Sequence, residues 1–231
     1  MALKNITEHY SSVSDLPGTL PIFPLHGALL LPGGDLPLNI FELRYLQMVS
    51  QALAGDRLIG MIQPRDMETE TDLNSAGSSG KLYEIGCAGR ITSFSEGEGN
   101  QIQIILTGVC RFRIFQELKS PAPYRLVQPS FEEFAIDLTD ENPSVMNERE
   151  RLLESLRGFL EARSMEADWN AINTAATSTL INTLTMIGSF SASEKQALLE
   201  APDLAHRTRT LMVLTDMSIG TTPDSSGRVL Q

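Results

Sequence analysis

LPIFPLHGALLLPGGDLPLNIFELRYLQM, residues 20–48, carries the densest structural signal in the chain. Leu36, Leu38 and Ile40 alternate with Asp35, Pro37 and Asn39, which puts three apolar side chains on one face of a strand and polar groups on the other. Pro37 has no N–H to give a sheet ladder, so that strand belongs at an edge or a bulge. Phe41, Tyr45, Met48, Val49, Ala52 and Leu53 then recur at helical spacing, and Gly55-Asp56 stops the helix before a strand at 57–63. A helix therefore lies inside a lobe whose other signals are β.

Working outward, period two or short apolar runs dominate from Leu20 to Phe131. Strands are expected at 57–63, 101–107, 109–115 and 124–131, with a hairpin turn at 93–100, centred on SEGEGN, between Ile91 and the strand at 101–107. Six or seven short strands at this spacing define a closed or sandwiched β lobe. Between Pro64 and Gly80 the stretch is acidic and then Gly/Ser-rich, and is read as a flexible insertion. From Asn147 the period changes to that of helices. Leu152, Leu153, Leu156, Phe159 and Leu160 form one stripe; Ile172, Ala175, Ala176, Leu180 and Leu184 form a second; Leu198, Leu199, Leu204 and Leu211 fall in two shorter helices. Ser191 with Glu194 reads as a capping box, and Asp203 as an N-cap. The expected organisation is α+β: a leader at 1–18, a β lobe at 19–131, a linker at 132–146, a helical lobe at 147–219 and a disordered tail at 220–231.

Charge and cysteine content narrow the function classes. Lys and Arg total 18 against 29 Asp and Glu, a net charge of −11 that repels nucleic-acid phosphate from most faces. Cys87 and Cys110 both lie in apolar strand-like runs and read as small buried hydrophobes rather than a disulfide, which fits a reducing, cytoplasmic setting. No stretch has the continuous apolar length of a membrane span or a signal core.

Catalytic chemistry is hard to assemble from these residues. No Gly-Lys-Ser or Gly-Lys-Thr occurs, so the phosphate-cradling loop of a nucleotide hydrolase is missing from the sequence. Of four lysines, Lys195 follows Ser191 by one helical turn, but capping accounts for the Ser and a solvated helix face for the Lys. His9, His26 and His206 have no partner at metal-ligand spacing, and Glu132-Glu133 and Asp140-Glu141 read as solvated charge. No catalytic residue, metal or cofactor is expected.

The order Leu20-Pro21, Pro24-Leu25, Leu31-Pro32-Gly33, Leu38–Ile40 and Phe41-Glu42-Leu43-Arg44-Tyr45 resembles the opening of the N-terminal substrate-binding domain of Lon-type ATP-dependent proteases. The resemblance continues through LIGMIQP (58–64), LYEIGCAGRI (82–91), QIILTGVCRFRI (103–114) and EKQALLEAPDLAHRTRTL (194–211), and covers nearly the whole chain. It implies a PUA-like β pseudo-barrel followed by an α-helical bundle. It also implies a stand-alone, non-enzymatic module whose partners are unfolded or tagged polypeptides and a separate ATP-dependent protease. Phe41, Arg44, Tyr45, Arg111 and Arg113 are the candidate polypeptide-binding residues. Against that stands a structural reading in which the two aromatics are core, Glu42 and Arg44 tie the helix end to neighbouring loops, and carboxylates on an adjacent strand satisfy Arg111 and Arg113. The alternatives are an RNA-binding PUA-like module, argued from fold alone and opposed by the charge, and a small-ligand binder using Arg90, Arg111 or Arg113.

Overall fold

A computed structural model of the chain describes residues 10–65, 81–97, 99, 101–139, 146–162 and 167–220, without the side chains of 146–148, 159–162 and 218–220. The expected insertion beyond Arg65, the tail beyond Gly220 and the side chains of Phe159 and Leu160 lie outside the described residues. The chain divides into two compact units, Met1–Asn142 with Asn182–Glu200, and Pro143–Ile181 with Ala201–Gln231. The segment read as one helical lobe is thus shared between them.

Six strands build the first unit: β1 (Leu20–Pro24), β2 (Asp35–Ile40), β3 (Leu58–Ile62), β4 (Ile85–Glu96), β5 (Ile102–Leu118) and β6 (Arg125–Ser130). Their order is β2-β5-β4-β3-β1-β6, and β6 also pairs with β5, so five strands close into a ring with β2 added on the outside of β5. Closure depends on the length of β5. Its first half lies between β2 and β4, and its second half, from Arg113 to Leu118, pairs antiparallel with β6. The two strands expected at 101–107 and 109–115 are therefore one. Gly108 does not break it, because a bulge at Val109 lets β5 continue past the loop at Leu31, where a Cβ on Gly108 would overlap the Leu31 carbonyl.

The ring is filled rather than hollow. Gly60 and Gly86 face the Phe112 ring, which a Cβ at either position would crowd, and Leu20, Ile22 and Val127 are fully buried around it. Outside the ring, α1 (Leu43–Ala54) lays Tyr45, Met48, Val49 and Ala52 on the sheet, the i, i+3, i+4, i+7 stripe of an amphipathic helix. All five residues of β3 are buried, as expected of a strand covered on both faces.

Two stretches read as connective are core. Tyr10 and Leu16 are buried, with a 3-10 turn at Val13–Asp15 between them, so the segment read as a mobile leader is ordered from Tyr10 onward. Phe131, Phe134 and Leu138 are likewise buried, the last two within a 3-10 segment at Glu132–Leu138, inside the stretch read as a linker.

The helices after the sheet are α2 (Met146–Ala162), α3 (Trp169–Thr174), α4 (Thr177–Ile187), α5 (Ala192–Glu200) and α6 (Leu204–Gly220). The single stripe expected from Ile172 to Leu184 is split at Ala175, and α6 is long rather than short. In the second unit α2 packs on α6, where Ser155 Oγ donates to Asp216 Oδ1 at 2.8 Å. Arg149 spans the α3–α4 break, donating to the Ile172 carbonyl at 2.9 Å and to Thr177 Oγ1 at 2.9 Å. Asp203 caps α6 through the His206 amide at 2.8 Å.

In the first unit α5 is fastened to the ring by polar contacts. Its capping box is in place: Ser191 N donates to Glu194 Oε2 at 2.7 Å and Glu194 N to Ser191 Oγ at 3.3 Å. Gln63 Nε2 reaches Gln196 Oε1 at 3.1 Å, and Gln196 Nε2 reaches the Ile85 carbonyl at 3.0 Å. Lys195 is not simply on a solvated face: its Nζ donates to the Gly27 carbonyl at 2.9 Å.

Candidate functional site

The β2–α1 junction sorts the residues of FELRY by direction. Glu42 occupies the N-cap with extended backbone, φ −74° and ψ 132°, so the helix starts at Leu43 and Phe41 precedes it. Phe41 and Tyr45 consequently do not share a helix face. Tyr45 is 5% exposed and its ring packs on Phe23 with centroids 4.1 Å apart. Burial pushes its phenol up to about 12, against the opposing pull of Arg44. The Arg44 guanidinium carbon lies 4.3 Å from the Tyr45 ring centroid, and Arg44 Nε donates to Glu42 Oε2 at 3.0 Å. Glu42 and Arg44 thus pair with each other across the first residue of the helix. Phe41 remains 64% exposed and Leu43 80%.

Arg111 and Arg113 leave β5 on one side and meet carboxylates of the 3-10 segment at Glu132–Leu138, and Arg113 also meets Glu84, the residue before the adjacent strand β4. Arg111 makes a two-point pair with Asp137, Nε to Oδ2 at 2.8 Å and Nη2 to Oδ1 at 2.9 Å. A third contact runs from Arg111 Nη1 to the Leu199 carbonyl at 3.2 Å, and the Phe134 ring centroid lies 4.7 Å from the guanidinium. Arg113 is partly exposed, and reaches Glu133 Oε2 at 2.9 Å and Glu84 Oε2 at 3.0 Å. The structure therefore does not bring the five sequence candidates together. Three are arginines held in intramolecular ion pairs, one is core, and Phe41 is the one that offers an apolar group to solvent.

What sits beside Phe41 follows from the sheet register. Leu38, Ile104 and Phe94 form one cross-strand row over β2, β5 and β4, and Ile40, Ile102 and Glu96 form the next. The row before them, Leu36–Leu106–Ile91, is fully buried at its β5 and β4 positions. The apolar face of this sheet thus runs out of the core toward the end that holds the β4–β5 turn. There Phe94 is 53% exposed and Leu38 and Ile102 are half-buried, and the exposed Phe41 and Leu43 follow the last residue of β2 at the same end of the sheet. Beside it runs the outer edge of β2, unpaired among the described residues and carrying Pro37, which removes one donor from it.

Phe94 was hidden from sequence reasoning because its strand was read as ending at Ile91. Phe115 was hidden for a different reason. Ile114 pairs with Pro129 and Gln116 with Gln128, so Phe115 is the extra residue of a bulge and is 72% exposed. Ser191 Oγ is engaged with Glu194 at 2.7 Å, and Lys195 is directed to Gly27, so the two do not form a nucleophile–base pair. No group of three His, Cys, Asp or Glu placed to hold a metal occurs among the described residues, and among them no helix is long and apolar enough to cross a membrane.

A closed β ring with an added edge strand, an apolar strip emerging at one sheet end and polar side chains spent on internal pairing defines a binding module. Family comparison gives it a lineage: residues 19–216 match the ATP-dependent protease La (LON) substrate-binding domain, and the chain belongs to that family. It is 28% identical over 211 residues to Lon protease 2 of Myxococcus xanthus, covering 87% of this chain and 24% of that protein. It is 32% identical over 154 residues to the peroxisomal Lon protease homolog 2 of Pongo abelii, covering 64% of this chain and 18% of that protein. The chain thus spans about a quarter or less of these relatives, and the match falls on their substrate-binding domain and not on the protease domain. Among solved structures, the N-terminal domain of a Mycobacterium avium complex Lon protease superposes with a TM-score of 0.61 at 16% identity, over 86% of this chain and 98% of that one. The crystal structure of a Lon N-terminal domain protein from Xanthomonas campestris gives 0.57 at 22% identity, over 84% and 97%. Both carry the same α+β fold.

Proposed function

We propose that this chain is a non-enzymatic, cytoplasmic polypeptide-binding or adaptor module that engages exposed apolar segments of unfolded or tagged polypeptides, for use by a separate ATP-dependent protease. One observation carries the reading: in a family described as substrate-binding, Phe41, Leu43 and Phe94 stand exposed at the same end of the β2–β5–β4 sheet. Burying a large apolar side chain contributes about 1.5–3 kcal/mol. Three such anchors, less the entropy of ordering an extended client, leave a dissociation constant on the order of micromolar.

Fluorescence anisotropy with a labelled, permanently unfolded protein and a labelled single-stranded RNA, each at low and moderate salt, tests this. The unfolded protein should bind with little salt dependence, because the anchors are apolar. RNA binding that weakens steeply with salt, without any response to unfolded protein, would replace this reading with the nucleic-acid one. The same preparation should turn over neither ATP nor casein.

A further inference from the structure

A pocket of about 300 Å³ opens where α1 ends, and its lining includes Tyr10, Asp15, Leu16, Asp56, Arg57 and Arg90 beside Pro17 and Gly55. Its construction is specific. Gly55 N and Arg57 N both donate to the Ala52 carbonyl, at 3.1 and 2.9 Å, which closes the helix and forces Arg57 to φ 60°. Arg57 is the only non-glycine residue with positive φ among the described residues, and this left-handed backbone is one that glycine adopts without strain. An arginine there places a charged side chain at the pocket at a cost to the fold. Its carbonyl accepts from Ile91 N at 2.8 Å, and Leu58 pairs with Arg90, so Arg57 and Arg90 are held on neighbouring strands.

Arg90 Nη1 donates to the Tyr10 hydroxyl at 2.9 Å, which in turn donates to the Asp56 carbonyl at 3.4 Å. That leaves the rest of the Arg90 fork and the whole Arg57 guanidinium without a carboxylate partner among the described residues. Asp15 does not supply one, since its Oδ2 accepts from the Ser11 and Ser12 amides at 2.9 Å each and from both hydroxyls at 3.1 Å. Asp15 and Asp56 each keep a negative charge at the pocket, which disfavours a dianion such as phosphate. A planar monoanion matches the guanidinium fork, and Leu16 and Pro17 offer an apolar wall to whatever carries it.

We propose that this pocket binds a carboxylate, specifically the C-terminal carboxylate of a client polypeptide, between Arg57 and Arg90, with the last side chain against Leu16 and Pro17. This rests on the polypeptide-binding reading and adds a second element to it: the sheet end takes apolar segments, and the pocket reads the chain end. At about 300 Å³ the pocket accommodates the terminal residue rather than a chain passing through.

The test uses the full chain and three probes: a labelled decapeptide ending in a free leucine, the same peptide as its C-terminal amide, and N-acetyl-leucine. The free acid should bind at least about tenfold more tightly than the amide, the loss expected when a charge-assisted contact is removed. Arg57→Gly and Arg90→Gln should each abolish that preference. Arg57→Gly should do so with a Tm at or above that of the parent, because glycine relieves the positive φ, so lost binding there is not lost folding. N-acetyl-leucine matching the free-acid peptide in affinity would keep the carboxylate site but reassign its source to a small free acid, overturning the chain-end assignment. Equal binding of acid and amide, or unchanged preference in both variants, would overturn the site itself. If unfolded protein still binds while acid and amide are equal, the polypeptide reading stands and the pocket falls. If N-acetyl-leucine binds through Arg57 and Arg90 while unfolded protein does not, the reverse holds.

Discussion

Arg111 on β5 and Asp137 in the 3-10 segment, 26 positions apart, face each other as two parallel hydrogen bonds of 2.8 and 2.9 Å, with side chains 2% and 8% exposed. Asp137 Oδ2 also accepts from the Arg111 amide at 3.0 Å, so one carboxylate fixes both the main chain and the side chain of the strand. Through the Leu199 carbonyl the same guanidinium holds α5. A residue that looks like a ligand-binding cation in the sequence is therefore a bolt joining three elements of the first unit.

Breaking that pair from one side should be costly. Asp137→Ala strands a buried guanidinium, and the loss expected is about 3–5 kcal/mol. Arg111→Met combined with Asp137→Leu should cost clearly less than Asp137→Ala alone, since no charge is left buried without a partner. Urea unfolding followed by circular dichroism compares the two.

Tyr45 and Phe41 should separate stability from binding. Tyr45→Ala removes a ring packed on Phe23 and should destabilise by about 3 kcal/mol or more. Phe41→Ala, at a site 64% exposed, should move stability by no more than about 0.5 kcal/mol. Thermal melts of the two variants check the contrast.

Alkaline pH should unfold the protein partly through Tyr45. Burial raises its folded-state phenol from the ordinary 10 to about 12, so the contribution is fully present below pH 10 and is lost as pH rises through 12. Tyr45→Phe should therefore show a shallower fall in Tm between pH 9 and 11 than the parent. An identical slope would mean the phenol ionises as easily in the fold as outside it.

The thiols should be silent in the native state. Burial, with Asp137 next, pushes the Cys110 thiol well above its ordinary range, and Cys87 is buried beside it on β4. Iodoacetamide at pH 8 should label neither until denaturant is added, as mass spectrometry of the intact protein would record.

Local chemistry was legible in the sequence where it depends on neighbours a few residues apart. The alternation from Asp35 to Ile40, the stripe from Tyr45 to Ala52, the Ser191–Glu194 box and the Asp203 cap all reappear in the structure. Features set by distant contacts were not. Phe41 falls in register with Tyr45 by spacing, yet the helix begins two residues later. Tyr10 and Leu16 look like leader, and Phe134 and Asp137 look like linker, because their burial comes from elements far along the chain. Phe94 looks like part of the hairpin turn, whereas its strand runs on past Ile91 in the structure, and Phe115 looks like an ordinary strand residue until a one-residue bulge turns it outward. Of the pocket arginines, Arg90 was a candidate of the small-ligand reading, and Arg57 was not. Arg57 is one residue past a helix stop, and its positive φ is a consequence of how α1 closes onto β3.

Under the polypeptide-binding proposal, the exposed apolar end of the β2–β5–β4 sheet holds the client. The most direct test is a triple variant, Phe41→Ser, Leu43→Ser and Phe94→Ser, assayed by anisotropy against a labelled unfolded protein beside a thermal melt. All three side chains are exposed, so the melt should be nearly unchanged. Affinity should fall at least tenfold with Tm preserved. A triple variant that binds unfolded protein as tightly as the parent would contradict it.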